Sequence, residues 1–170
     1  MPLAGAPLPA APLPADAVAT MTGLELMRGM FAGTLPGAPI AGLMNMHGVE
    51  ASPGVIVFEG TPGPEHYNPI GSVHGGYAAT LLDSCMGCAV HTMLGVGVGY
   101  TSIDINITYV RAITHATGPV AARGEVINVG RRVGTVRGTL TDAAGKVLAH
   151  GTSSCLIFEV RGVVTGRGPA

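Results

Sequence analysis

A single acid, Asp83, stands inside the longest apolar stretch of this chain, GGYAATLLDSCMGCAVHTML at 75–94. Wound as a helix, Tyr77, Ala78, Leu81, Leu82, Cys85, Met86, Cys88, Ala89, Val90, Met93 and Leu94 cover most of the circumference. A helix apolar nearly all round is buried nearly all round. Thr80, Asp83, Ser84, Gly87 and His91 recur at steps of three and four and form one polar stripe. A carboxylate buried there is costly unless it is paired or hydrogen-bonded. Two readings stand: a structural acid held by Ser84 or a loop amide, or a general base or nucleophile kept in a dry pocket.

His74, Gly75 and Gly76 sit where that helix should begin. The first amides of a helix lack partners, and the helix dipole favours negative charge beside them. Glycine lets a substrate approach the backbone closely. This combination can stabilise the oxyanion of acyl transfer. Gly75 and Asp83 are eight residues apart, about 12 Å at the helical rise. One chain cannot bring both groups to the same carbonyl. Two antiparallel copies of the helix across a dyad can, so a homodimer with shared sites is expected.

The composition agrees. The chain has 170 residues, enough for one domain with a sizeable core. Charged residues make up 11% against about 25% in ordinary globular chains, so apolar surface is left for an oligomer to hide. Nine Lys+Arg nearly balance ten Asp+Glu, and Lys146 is the single lysine. That disfavours nucleic acid and anionic membranes as partners. Mean hydropathy is +0.45, but Asp83, Ser84 and His91 interrupt the best apolar stretch, so no membrane span is expected. The start lacks a basic region and is rich in proline, a poor export signal. Three cysteines cannot pair off, and Cys85-x-x-Cys88 has no second pair. A cytoplasmic protein with packing cysteines is expected. No metal is expected either, because no HExxH and no clustered His/Cys set appears. A G-x-S-x-G elbow is absent too.

The elements that must position these residues are legible as α+β. Residues 1–20, rich in Ala and Pro, read as a flexible tail, and 161–170 as a second one. The domain between them, 21–160, should open with a helix capped by Thr22 and stopped by Gly33, Pro36, Gly37 and Pro39. A hairpin over 44–51 and 54–59 turns at Ser-Pro-Gly. The long helix follows over 75–94, and GVGVG ends it. In TSIDINITYV, Ile103, Ile105, Ile107 and Tyr109 alternate with Ser102, Asp104, Asn106 and Thr108, as in a half-buried strand. Strands over 119–129, 132–142 and 146–158 complete an antiparallel sheet with the helix on one face.

HYNPIGSVHGGYAATLLDS, followed by YTSIDINITYVR, resembles the hotdog-fold acyl-CoA thioesterases. It is most similar to the PaaI-like branch, named for phenylacetic acid degradation. The family pattern, roughly N-x-x-G-x-x-H-G-G, then L-x-D, then D-x-N-x-x-Y, falls on Asn68, Gly71, His74, Gly75, Gly76, Leu81, Asp83, Asp104, Asn106 and Tyr109. The likeness covers about 42–158. It implies an antiparallel sheet wrapped around a long central helix, and two subunits joined into a double hotdog, with dimers pairing further. It also implies site roles. Asp83 would activate water or attack the thioester, and the Gly75 N–H would polarise its carbonyl. Asn68 would orient carbonyl or water from the subunit opposite Asp83. Ser102 would support the attacking water, and His74 would bond near the sulfur or steady the loop. Gly76 and Ser84 would line the substrate, and Arg131, Arg132 and Arg111 would meet the nucleotide phosphates. Coenzyme A is then part of the substrate and no cofactor is needed. Two other activities compete: a hydratase or dehydratase on the same fold, and a non-catalytic acyl-CoA sensor.

Overall fold

The computed structural model describes residues 10–160. Three short helices come first: α1 (Ala15–Thr20), α2 (Gly23–Phe31) and α3 (Pro39–Leu43). The hairpin β1 (Met46–Ser52) and β2 (Val55–Gly60) leads through a long loop into α4 (Gly75–His91). Then come β3 (Val98–Tyr109), β4 (Val120–Val129), β5 (Val133–Asp142) and β6 (Val147–Glu159). The six strands form one antiparallel sheet in the order β1-β2-β4-β5-β6-β3. The sheet wraps α4, which is the α+β hotdog architecture. Among the described residues, no helix is long and apolar enough to cross a membrane.

The core is the inner face of α4 against the sheet. Leu81, Leu82, Cys85, Met86, Ala89 and Val90 are fully buried against Ile56, Ala122, Val136, Leu140, Ala149 and Cys155. Helix and sheet come this close because glycines face the helix. A Cβ at Gly124 would collide with the Cys85 carbonyl, and one at Gly138 would stand 2.9 Å from Met86 Cγ. The first hairpin turns at Pro53-Gly54. Gly54 has φ +75°, the left-handed conformation that the second turn position needs here. Thr22 caps α2 with a full capping box to Glu25, an arrangement whose loss typically costs about 1 kcal/mol.

Four expectations need correction. The N-terminal tail does not run to residue 20: Ala15–Thr20 is helical and Ala17 is buried. Residues 1–9 and the tail at 161–170 lie outside the described residues. Pro39 does not stop α2, which ends at Phe31 with Gly33 turning at φ +72°; it opens α3 from the first helical position, where its missing N–H costs nothing. The long helix ends at His91, three residues early. There Thr92 turns its hydroxyl onto the Ala89 carbonyl while also accepting the Gly54 N–H.

The fourth correction concerns β3, which is not a simple alternating strand. Its ladder with β6 pairs Ser102 with Cys155 and Asp104 with Ser154, leaving Ile103 as an extra residue. Such a bulge switches which side chains face inward. Ser102 and Tyr109, on opposite faces by parity, therefore both reach α4. Asp104 closes the bulge: its Oδ1 accepts the Ser154 N–H at 3.0 Å, and its carbonyl accepts the Ser153 hydroxyl. β3 is also an edge strand, with Ile103 59% and Tyr109 55% exposed, so it is not half-buried within one chain.

Candidate active site

The loop before α4 is tied down along its length. His66 is buried; its Nδ1 accepts the Gly63 N–H at 2.9 Å and its Nε2 meets the Leu43 carbonyl at 2.8 Å. The backbone N–H groups of Val73 and His74 donate to Ile113 and His66. Asn68 forms a turn. Its Oδ1 accepts the Ile70 N–H at 3.0 Å, and its Nδ2 donates to Ser72 Oγ at 3.1 Å. Gly71 takes φ +87° within it, a conformation that favours glycine.

At the helix start, His74 is the N-cap. Its Nδ1 accepts the Gly76 N–H at 2.8 Å. The Gly76 amide is therefore occupied, whereas the Gly75 N–H has no partner among the described residues. The Tyr109 hydroxyl donates to the Gly75 carbonyl at 3.2 Å. Asn68, His74, Gly75, Ala78, Tyr109 and Arg111 share one groove of about 310 Å³. The Arg111 guanidinium is anchored there by the Val147 carbonyl.

Asp83 lies two turns further along α4 and touches none of that groove. The Ser102 hydroxyl donates to its Oδ1 at 2.8 Å. In the single chain Asp83 is exposed, so the burial of α4 against its own sheet does not by itself dry the carboxylate. Of the polar stripe only Asp83 is exposed; Thr80, Ser84 and His91 are half-buried, and Gly87 is buried beneath Tyr100 of β3. Ser84, next to Asp83, makes no side-chain hydrogen bond among the described residues.

Around Asp83 lie neutral groups. Burial chiefly, with the Asp83 charge adding to it, pushes the Cys88 thiol up to about 11, even though the Tyr100 hydrogen bond lowers it. Burial pushes the Tyr100 phenol well above its usual range. Cys85 is raised in the same way. These thiols are free and stay protonated at neutral pH, so they pack and do not attack. Cys85 and Cys88 belong to no cluster of three or more His, Cys, Asp or Glu among the described residues.

The predicted residues thus fall into two groups. The structure brings Asn68, His74, Gly75, Gly76 and Arg111 together, and separately Asp83, Ser84 and Ser102. Arg131 and Arg132 are exposed at the β4–β5 turn and line neither group. Two contacts escaped sequence reasoning, Tyr109 over Gly75 and Tyr100 over Gly87. For Tyr109 the signal is hidden by the bulge, which only the β3–β6 register reveals.

The family model described as thioesterase superfamily matches residues 70–149, which hold the Gly75 amide, Asp83 and Ser102. Human acyl-coenzyme A thioesterase 13 is 33% identical over 104 residues, covering 61% of this chain and 73% of that protein. A Halobacterium salinarum protein that carries the name of an esterase is 35% identical over 97 residues. That match covers 52% of this chain and 62% of that protein, so the chain spans less than two thirds of this relative's length. Among solved structures, the phenylacetic acid degradation protein PaaI from Thermus thermophilus superposes with a TM-score of 0.63 at 26% identity, covering 69% of this chain and 97% of that one. With the acid–hydroxyl pair and the free helix-start amide inside the matched segment, the chain belongs to the thioesterase superfamily.

Proposed function

We propose that this chain hydrolyses an aryl- or short- to medium-chain acyl-CoA to the free acid and coenzyme A, in sites shared between two copies. The Ser102–Asp83 hydrogen bond carries this reading. The hydroxyl engages Oδ1 and leaves Oδ2 to take a proton from water. Water oxygen attacks the thioester carbon, and the oxyanion is held by the free Gly75 N–H at the positive end of α4. Collapse expels the thiolate, and Asp83 returns the proton to sulfur. One water is consumed; one acid and one thiol are released.

Asp83 works with Gly75 of the partner subunit, because along one helix the two are about 12 Å apart. The free edge of β3 supports such a pairing: α2 and α3 pack against the β1 edge, whereas Ile103, Ile105 and Tyr109 are exposed along β3. Burial in that interface also shields Asp83 from bulk water. Dimers pairing further remain part of this reading.

The other residues take matching roles. The second Nδ2 hydrogen of Asn68 is available to a carbonyl or water. A neutral His74 accepting at Nδ1 carries its proton on Nε2, which can donate to the leaving sulfur. Arg111, in the groove beside Gly75, meets a CoA phosphate, with Arg131 and Arg132 as outer cations. Gly76 and Ser84 line the substrate path. Free Cys85, Cys88 and Cys155 suit a reducing compartment such as the cytoplasm.

The test is thiol release from a panel of aryl and aliphatic acyl-CoAs. Asp83→Ala should stay folded and lose at least about a hundredfold in kcat/KM. Tight acyl-CoA binding without thiol release would replace hydrolysis by a sensor role. Water addition to an enoyl-CoA would replace it by a hydratase.

A further inference from the structure

Two consecutive glycines are an unsuitable place for a preorganised donor, because glycine is the most conformationally free residue. Yet the Gly75–Gly76 peptide is held at both ends. Tyr109 Oη–H donates to its carbonyl at 3.2 Å, and His74 Nδ1 accepts its N–H at 2.8 Å. The Tyr109 ring also lies on Gly75: a Cβ there would stand 3.2 Å from the ring carbon Cζ. These holds fix the rotation of the peptide that follows the one free amide, the Gly75 N–H.

Tyr109 reaches this point only because the Ile103 bulge turns it inward. It does so from the same strand that carries Ser102 to Asp83. One strand therefore sets both halves of the site.

We propose that Tyr109 is a positioning residue that aims the Gly75 N–H at the developing oxyanion, acting with His74 as a two-point clamp on the Gly75–Gly76 peptide. The inference rests on the hydrolase reading. A small misalignment of an oxyanion donor affects the transition state more than the ground state.

The experiment is Tyr109→Phe, which keeps the ring and removes the hydroxyl. The expected result is about a tenfold loss in kcat, with KM within twofold and an unchanged melting temperature. A ketone analogue of acyl-CoA should bind the variant more weakly, while a thioether analogue without a carbonyl should bind it equally well. A merely structural role would move stability, or both analogues alike. An unchanged kcat, or a raised KM with kcat intact, would overturn the inference and leave the hydrolase reading standing. If the unsubstituted chain released no thiol from any substrate, both would fall together. Should Tyr109→Phe unfold, replacement of Tyr109 by 4-aminophenylalanine, whose para N–H can still donate to the carbonyl, must recover fold and kcat together, and failure to do so would overturn the clamp.

Discussion

The two ends of the α4–β3 pair are built differently. At the Gly75 end the reacting group is backbone, and its neighbours are tied by hydrogen bonds from His74 and Tyr109 and by the loop bonds of Asn68 and His66. At the Asp83 end the group is a side chain, exposed, with one hydrogen bond from Ser102 and no salt bridge among the described residues. The amide end is complete within one chain. The acid end is left open and wet. An amide needs only a fixed direction, which local hydrogen bonds supply. A carboxylate base also needs a dry setting, which a single sheet edge cannot supply.

The contrast can be broken first by mixing. Gly75→Pro removes the free N–H yet suits the first helical position, and His74 already has ψ 138°, as a residue before proline requires. The proline ring must displace Tyr109 slightly. Alone, Gly75→Pro and Asp83→Ala should each lose about a hundredfold or more. Refolded together as mixed dimers, they should recover about a quarter of wild-type activity, since half the dimers then carry one intact site. No recovery would place acid and amide in one chain and sink the shared site.

A smaller effect sharpens the acid end. Ser102→Ala should cost about twentyfold in kcat/KM, within the usual range for a hydrogen bond to a charged group. Its Tm should hold, because Ser102 is exposed on an edge strand. A wild-type rate would leave Asp83 without need of its partner.

The smallest expected effect is on stability against pH. His91, its ring tilted 47° to that of Tyr100 with centroids 5.3 Å apart, has its pKa lowered by burial. The unfolded chain then binds more protons than the folded one just below the ordinary histidine pKa of about 6.5. Its contribution is full above that value and is lost as pH falls toward the lowered folded value. Melting temperature should therefore drop between about pH 7 and 5, and His91→Gln should flatten part of that slope. An unchanged slope would mean His91 is as solvated folded as unfolded.

Much of this molecule was legible in the chain. The apolar wrap of the long helix, the Thr22 cap, the Pro53-Gly54 turn and the three strands after β3 all express local periodicity and turn chemistry. The motif residues around Gly75 and Asp83 also sit where their spacing placed them, two turns apart on one helix. α3 was missed because Pro39, which opens it at the first helical position, carries the same signal as a helix stop.

What the chain itself determined is the order of elements and the distance between amide and acid along α4, because helical rise and hydrophobic period are local. Which way Ser102 and Tyr109 point was decided by pairing with β6, since one extra residue at Ile103 reverses a parity that no single strand can reveal. The exposure of Asp83 was decided by the sheet order too, since leaving β3 at the edge leaves this carboxylate facing outward, where only a neighbouring surface can dry it.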